Sequence, residues 1–539
     1  MADCAAGSGT AVALAVGQYT TLDARADSGC VAFPANTGGS EAEYLVVAQS
    51  ASGVPGTTAG FSLKGAVEPV AAPPAVSGAA LAWADLPPAQ RFHLFLRRGE
   101  ETRRWGDLVP AVAPAATAPA GPPRLAKPVV GQVRGFNVCA RLDCSRFDSV
   151  YARAEVVGEH LAIFVDTLAP AGGLNAADLD TLRTLFDSRL YPIDTAAFGH
   201  ESDINADSVV IVLMTNVVNK LVTTAECQDP GGGFVAGFFL GADIDPAFQN
   251  DVRSNKAEIF YAIVADPAGD LSCAHSRAQV KRFVPITFIH EFQHMISYNH
   301  HVLVRGSLEG EVLWLNEGLS HYAEELGGRS FLAENDNQRF TDFVIGNLGN
   351  GYDYLEDPGG HFLLATEGIG SLAERGAMWL YARYIVDRYA GGTTTTAWNA
   401  VTRPLVATSR RGAANVEFVT GDPFVTTVTG WALANWVDDL PGFAAPAELT
   451  YASWNLRDVY QQLNTQLPNT FQRPYPLVPS IGAGDLINLS GTLRAGSGVY
   501  HRVLQAAGAP GFILTFRNAN GQELLPSSAV ARLSVIRIR

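Results

Sequence analysis

The segment 288–296 carries the pattern H-E-x-x-H, which is formed by His290, Glu291 and His294. On a helix, residues four positions apart project from one face, so that both imidazoles can reach one metal ion at about 2.0–2.1 Å. Glu291 follows the first histidine, where it can accept a proton from a water molecule on that ion. The pattern therefore predicts a catalytic zinc site on a buried helix.

A catalytic zinc site with an open position needs a third protein ligand, and the sequence offers two. We favour Glu317, which lies in the downstream sequence W-L-N-E-G at 314–318. The alternative is His300, whose spacing from His294 matches the metzincin peptidases. Ser297 stands where that pattern has a glycine, which makes the sharp turn before His300 costlier. If Glu317 is the third ligand, His300 belongs to the polar end of the zinc helix.

Further residues are candidates for supporting roles. Glu324 lies seven residues beyond Glu317, on the same helical face, and could hold the N–H group of a zinc-binding histidine; the alternative is a solvated charge. Tyr381 and Tyr384 lie on an apolar helix predicted at 372–389, and either could donate a hydrogen bond to an oxyanion. Ordinary packing is the alternative for both tyrosines.

These motifs resemble the gluzincin metallopeptidases, which have H-E-x-x-H on one helix and N-E on the next. The fuller set, S-N-K-A-E-I at 254–259, H-E-F-Q-H at 290–294 and N-E-G at 316–318, is most similar to the hyicolysin-type neutral metallopeptidases. The resemblance covers about residues 155 to 440. It implies that His290, His294 and Glu317 bind zinc and that Glu291 is the general base.

The resemblance has three departures that bear on function. The large zinc aminopeptidases carry G-x-M-E-N before the zinc helix, and this sequence does not. They also carry an oxyanion-binding tyrosine in Y-x-K-G, where the nearest match here begins with Ala373. Thermolysin-like enzymes have an aspartate four residues after the glutamate ligand, where this chain has His321. An endopeptidase is therefore favoured over an aminopeptidase.

Composition excludes several classes of partner. The 539 residues carry a net charge of −15, which argues against nucleic acid or an anionic membrane. No run of eighteen apolar residues is long enough to span a membrane. The first four residues lack the features of a signal peptide, so an exported protein would already have lost its signal. We expect a secreted or periplasmic protein that acts on protein or peptide substrates.

The predicted fold class is α+β, with a zincin-like catalytic domain between two β-sandwich-like domains. Short β-type runs, such as 92–96, place an N-terminal β domain at 1–109. A Pro/Ala-rich linker follows at 110–128. The catalytic domain, at 129–475, combines a mixed sheet and the zinc helix with a helical lobe. A C-terminal β domain is predicted at 476–539.

Three local features complete the prediction. The six cysteines allow fifteen pairings, of which we favour the neighbour pairs 4–30, 139–144 and 227–273. The run 203–207 has the alternating oxygen ligands of a Ca²⁺ loop but lacks the glycine and distal glutamate of an EF-hand, so a polar turn is favoured over a calcium site. The run 233–239 is either an internal strand or the sheet edge that binds substrate as an added strand.

The sequence therefore favours a zinc-dependent endopeptidase in which Glu291 activates a zinc-bound water. One alternative is a secreted binding protein with a non-catalytic zinc site, although such a site has no need of a general base. The other is a zinc aminopeptidase, which requires an anchor for the substrate amine that the sequence does not reveal.

Overall fold

The computed structural model describes Cys4 and residues 9–65, 86–109, 125–229, 231–366 and 370–539. These residues form a mixed α+β structure, as predicted, with three sheets. Unit 1 comprises Met1–Leu81, Leu348–Ala397 and Val416–Arg539, and unit 2 comprises Ala82–Asn347 and Trp398–Asn415. Within the described ranges, a search for helices long and apolar enough to cross a membrane finds none.

The elements are numbered in chain order. The strands are β1 (Thr10–Ala11), β2 (Tyr19–Asp23), β3 (Cys30–Phe33), β4 (Ala42–Ser50), β5 (Thr58–Lys64), β6 (Val133–Cys139), β7 (Phe147–Val157), β8 (Leu161–Asp166), β9 (Val210–Met214), β10 (Gly237–Phe239), β11 (Ile259–Ala262), β12 (Ser480–Ala483), β13 (Asn488–Arg494), β14 (Gly498–Gln505), β15 (Phe512–Asn518) and β16 (Ala531–Arg537). The helices are α1 (Pro88–Thr102), α2 (Ala176–Leu185), α3 (Tyr191–Phe198), α4 (Asn216–Asn219), α5 (Thr224–Gln228), α6 (Arg277–Tyr298), α7 (Leu313–Arg329), α8 (Asn337–Glu356), α9 (Leu372–Tyr389), α10 (Thr395–Val406), α11 (Gly412–Thr420), α12 (Phe424–Val437) and α13 (Leu456–Gln466).

Unit 1 contains two five-stranded sheets, in the orders β1-β3-β15-β5-β13 and β12-β14-β4-β16-β2. Apolar side chains from both sheets, including Val46, Phe61, Leu514 and Leu533, form one buried core. Each sheet mixes strands from both ends of the chain. The predicted separate domains at 1–109 and 476–539 therefore do not match the structure, because local strand patterns do not reveal which distant strands pair.

The predicted catalytic domain is also divided differently. Unit 1 includes residues 348–397 and 416–475 in addition to its two five-stranded sheets. Helices α9, α12 and α13 therefore do not belong to the unit that holds α6. Most of the predicted linker, 110–124, lies outside the described residues.

Unit 2 is built on a six-stranded sheet in the order β10-β11-β9-β8-β7-β6. Strands β8, β9 and β11 run parallel, and β10 pairs antiparallel with β11 at one edge. The run predicted at 233–239 thus supplies an edge strand. Phe288 of α6 makes an edge-to-face contact with Phe260 of β11, with ring centroids 5.3 Å apart. The sheet therefore supports α6 directly.

Helix α6 begins well before Pro285. Its first turn is closed by a capping box in which the Ser276 side chain accepts from the backbone of Gln279, whose side chain accepts from the Ser276 backbone. The Asp178 carboxylate of α2 contacts both Arg277 and Lys281 in this turn. The helix includes Pro285 in its interior and continues to Tyr298.

Helix α7 continues through two consecutive glycines, Gly327 and Gly328, to Arg329. A Cβ atom at Gly327 would lie 2.8 Å from Phe343 Cε1, and one at Gly328 would lie 2.9 Å from Phe343 Cβ. These glycines therefore allow α7 and α8 to approach each other closely. Their role is packing, which a sequence pattern does not distinguish from helix termination.

The predicted strand at 92–96 is wrong, because these residues belong to helix α1. Pro88 occupies the first turn, where a proline is tolerated, and Phe92, Leu96 and Gly99 are buried on one side. A short apolar run has no periodicity that separates a strand from a buried helix. This correction matters because α1 reaches the candidate site.

Two local predictions can be compared with the structure. The disulfides join Cys4 to Cys30, Cys139 to Cys144 and Cys227 to Cys273, which confirms the predicted pairing. In the 203–207 loop, the Asp203, Asn205 and Asp207 side chains accept hydrogen bonds from the backbone N–H groups of Ser208, Asp207 and Val209, respectively. These hydrogen bonds form a polar turn before β9.

Candidate metal centre

Helix α6 brings two imidazole nitrogens together inside unit 2. His290 and His294 lie one turn apart, and their Nε2 atoms are 3.1 Å from each other. Both side chains are buried. Two nitrogens that each lie about 2.0–2.1 Å from one metal ion are separated by a distance of this order.

Helix α7 adds a carboxylate to this pair. Glu317 Oε1 lies 3.7 Å from His294 Nε2. The ligand atoms of His290, His294 and Glu317 all lie within 4.8 Å of one another. The structure thus brings together the three residues that the sequence favoured as ligands.

The alternative ligand, His300, lies elsewhere. It belongs to the π-helical turn Asn299–Val304 that follows α6. Its Nδ1 is 3.1 Å from the guanidinium of Arg305, and its Nε2 packs over Gly199. Burial and the nearby Arg305 lower the pKa of His300 to about 4. His300 belongs to neither of the two His/Glu groups that could hold a metal in the described part of the chain.

Hydrogen bonds behind the two histidines decide which nitrogens face the centre. His290 Nδ1 lies 2.7 Å from Glu324 Oε1, and His294 Nδ1 lies 3.0 Å from Asn316 Oδ1. Both partners accept hydrogen bonds, so these contacts assign the proton of each ring to Nδ1. In these neutral tautomers, each Nε2 atom keeps a lone pair, and the Ser320 hydroxyl also lies 2.9 Å from His294 Nε2. Such a donor set fits a zinc ion, which binds neutral imidazole nitrogens and a carboxylate.

The position of Asn316 is fixed in turn by a residue outside the predicted catalytic domain. Its amide nitrogen donates to Glu100 Oε2 of α1 at 2.8 Å. This leaves the amide oxygen to accept from His294. A chain of contacts therefore runs from Glu100 through Asn316 to His294.

Electrostatics differ between the two histidines. Burial lowers the pKa of His290, but the adjacent Glu324 carboxylate outweighs this effect and raises it overall. Burial and the nearby Arg97 hold the pKa of His294 well below its usual value. Burial also opposes ionisation of Glu324, yet His321 and His290 lower its pKa to about 2. Glu324 is therefore an anion at neutral pH.

Glu291 projects from α6 beside this cluster. Its Oε2 accepts a hydrogen bond from the backbone N–H of Phe239 in β10 at 2.9 Å. Only 1% of Glu291 is exposed, and this burial raises the pKa of its carboxyl. The Arg97 guanidinium, with Nη2 at 3.8 Å, opposes that rise. A carboxylate with a raised pKa is suited to accepting a proton near neutrality.

Sequence reasoning missed two charged residues near the centre. Arg97 and Glu100 lie on α1, paired at 2.8 Å, and Arg97 Nε is 3.7 Å from Glu317 Oε1. Their spacing of three residues would have indicated a paired helical face had 92–96 been interpreted as helix. His321, noted in the sequence only as a departure, has its Nδ1 3.2 Å from Glu324 Oε2.

The two tyrosines suggested for the oxyanion belong to unit 1, whereas the cluster lies in unit 2. The hydroxyl of Tyr381 is 2.7 Å from Thr427 Oγ1, and that of Tyr384 donates to the carbonyl of Glu448 at 2.8 Å. Both tyrosines are buried. Their described contacts agree with the packing alternative.

The chain is similar to a known protein over part of its length. No family model matches the chain. Over 141 residues, the chain is 29% identical to the neutral metalloprotease ShpI of Staphylococcus hyicus. The match covers 26% of this chain and 29% of that relative, so it spans less than a third of either protein. This similarity supports a distant relationship to a metalloprotease.

Proposed function

We propose that the chain is a zinc-dependent endopeptidase of the gluzincin type. The observation that carries the proposal is the convergence of His290 Nε2, His294 Nε2 and Glu317 within 4.8 Å, with Glu291 beside them. The distant similarity to a metalloprotease supports the same chemistry. In this proposal, unit 2 is a zincin-like domain, with α6 packed on a mixed sheet whose edge strand is β10.

His290, His294 and Glu317 would hold the zinc ion. When bound, zinc supplies Lewis-acid chemistry, which polarises a peptide carbonyl and lowers the pKa of water. Glu291 accepts the proton of the attacking water and delivers it to the leaving amine. Glu324 and Asn316 hold the two imidazoles in the orientation and tautomer that ligation requires.

Strand β10 is the proposed substrate edge. An extended peptide can add to an exposed sheet edge through main-chain hydrogen bonds. The Phe239 N–H of β10 points away from β11 and towards Glu291. A substrate strand paired here would lie directly beside the general base.

The three disulfides favour an oxidising compartment, so we propose a secreted or periplasmic protein. Its partners would be protein or peptide substrates.

The test is cleavage of a reduced and alkylated, unfolded protein by the zinc-loaded chain. It includes a chelator arm, zinc add-back and the Glu291→Gln variant, with the exposed Glu356→Gln as the matched control. Because α1 lies beside Glu291, the chain is assayed both intact and after cuts introduced within 66–85 and 110–124.

We expect internal cleavage that the chelator abolishes, zinc restores and Glu291→Gln lowers by about 100-fold or more. The Glu356→Gln control should match the wild type. Cleavage by Glu291→Gln at the wild-type rate would contradict the mechanism. Absence of cleavage by every zinc-loaded form would favour the non-catalytic binding protein. Removal of single residues from free amino termini would favour an aminopeptidase.

A further inference from the structure

The candidate centre is almost completely covered. The exposed fractions of Glu291, His294 and Glu317 are 1%, 0% and 1%. An endopeptidase must admit an extended polypeptide to its general base and metal ligands. The covering element must therefore move before a substrate can enter.

Helix α1 is the covering element that reaches the centre. Arg97 is fully buried, with its Nη2 3.8 Å from Glu291 Oε2 and its Nε 3.7 Å from Glu317 Oε1. One turn away, Glu100 accepts from Asn316. The side chains of α1 thus contact the proposed base, the proposed carboxylate ligand and the residue that orients His294.

The same helix also covers the proposed substrate edge. Phe92 of α1 lies edge-to-face against Phe238 of β10, with ring centroids 5.1 Å apart. A peptide cannot add to β10 beside Glu291 while Phe92 and Arg97 occupy these positions. The helix and a substrate therefore compete for one surface.

The segment 86–109 has hydrogen bonds within itself and an ion pair that attaches it to the rest of unit 2. Trp105 Nε1 donates to the carbonyl of Leu96, and the Trp105 and Leu108 backbones pair with each other. Arg103 makes a two-pronged ion pair with Asp245, with nitrogen–oxygen distances of 2.8 and 2.9 Å. The Trp105 contacts hold the helix and the turn after it together as one body, and Arg103 attaches this body to Asp245.

The sequence on each side of this segment is rich in alanine and proline. Residues 66–85 precede it and 110–124 follow it, and both runs lie outside the described residues. Hydrolysis of one peptide bond in each run would separate 86–109 from the rest of the chain.

We propose that residues 86–109 are an internal inhibitor that occupies the substrate surface of unit 2, with Arg97 placed against the general base. The segment must leave before a polypeptide substrate enters. This inference rests on the proposed function. It predicts that the intact chain is latent and that the separated segment inhibits when added back.

The experiment uses the zinc-loaded full chain with a recognition sequence for one specific protease inserted in each flanking run. After both sites are cut, the segment is removed by size exclusion, and circular dichroism checks the fold. We expect cleavage of the unfolded substrate to rise at least tenfold over the intact chain. A synthetic 86–109 peptide should restore inhibition.

Two matched peptides test the role of Arg97. The Arg97→Ala peptide should need at least tenfold higher concentration to inhibit, since Arg97 contacts Glu291 and Glu317. The Arg98→Ala peptide, altered at the exposed neighbouring arginine, should inhibit within twofold of the parent. Equal inhibition by all three peptides would contradict the proposed placement of Arg97.

A binding arm separates this inference from the proposed function. The cut Glu291→Gln chain is titrated with a fluorescent peptide from the unfolded substrate, and the 86–109 peptide should displace it. Displacement of the fluorescent peptide without cleavage by any wild-type form would contradict the peptidase proposal. It would still support a surface shared by the 86–109 segment and an extended peptide. Cleavage by the intact chain at the rate of the cut chain, or loss of fold and activity on removal of 86–109, would overturn the inhibitor role.

Discussion

Glu324 of α7 contacts His290 of α6, with 2.7 Å between its carboxylate oxygen Oε1 and the imidazole Nδ1. This contact assigns the imidazole proton to the side of His290 that faces away from the candidate metal centre. The opposite nitrogen, Nε2, keeps its lone pair for a metal ion. Under the proposed function, this contact lets Glu324 support metal affinity without being a ligand.

Replacing Glu324 with alanine should weaken zinc binding by about 10- to 100-fold, because His290 loses the acceptor that fixes its tautomer. Glu324→Gln should have a smaller effect, since its amide oxygen can still accept. Zinc affinity is measured by competition with a chromophoric chelator. An unchanged affinity for Glu324→Ala would remove this role.

The identity of the third ligand is tested by comparing Glu317→Ala with His300→Gln. We expect Glu317→Ala to lose more than about 100-fold in zinc affinity, because two imidazoles remain where three ligands are needed. His300→Gln should stay within twofold, because His300 packs over Gly199. The reverse order of effects would transfer the ligand role to His300.

The attachment of α2 to α6 should make stability depend on acidity. Contacts with Arg277, together with Lys281 at 2.8 Å, hold the pKa of Asp178 below its usual 3.8, although burial acts in the opposite direction. A carboxyl whose folded pKa is lowered stabilises the fold above its unfolded pKa and loses that contribution as the pH falls below it. Asp178→Asn should therefore cost about 1–3 kcal/mol at pH 7 and progressively less below about pH 4.

Urea unfolding of unit 2 across this pH range checks the prediction. Asp180→Asn is the control, because Asp180 is 59% exposed and pairs with Arg183 of the same helix. Its cost should be below about 0.5 kcal/mol. A pH-independent cost for Asp178→Asn would show that packing, and not charge, dominates at this position.

Two helical glycines should respond in opposite ways to the same substitution. Gly327→Ala places a methyl group 2.8 Å from Phe343 and should destabilise unit 2 by about 1–3 kcal/mol. At Gly346 of α8 nothing lies within 4 Å of the added atom, so Gly346→Ala should stabilise by up to about 1 kcal/mol. Chemical unfolding of both variants measures the difference, and equal effects would refute the close packing of α7 on α8.

Local sequence signals were enough to predict most residues of the candidate metal centre. The four-residue spacing of His290 and His294 needs only a helix, and α6 supplies it. Glu317 was found from the sequence W-L-N-E-G at 314–318, and Glu324 was found because it lies seven residues later on the same helical face. Arg97 was missed because the apolar residues around it resemble a strand, and because its partners lie far along the chain.

Long-range strand pairing is the other part that local patterns did not reveal. Strands β14 and β16 lie in the predicted C-terminal β domain at 476–539, but both pair with β4, near the other end of the sequence. Alternation identifies the buried face of a strand and says nothing about its neighbour. Two separate terminal β domains were therefore predicted, whereas strands from both ends of the chain share the same sheets.

The position of β4 has a consequence for folding during synthesis. All nine of its residues are buried, and its two partners are made only when the ribosome reaches 498–505 and 531–537. Until then, both edges of an apolar strand remain open to other chains, which is a route to aggregation. The sheet of unit 2 needs only strands between Val133 and Ala262. We therefore expect unit 2 to fold first and the nascent strands of unit 1 to depend on chaperones.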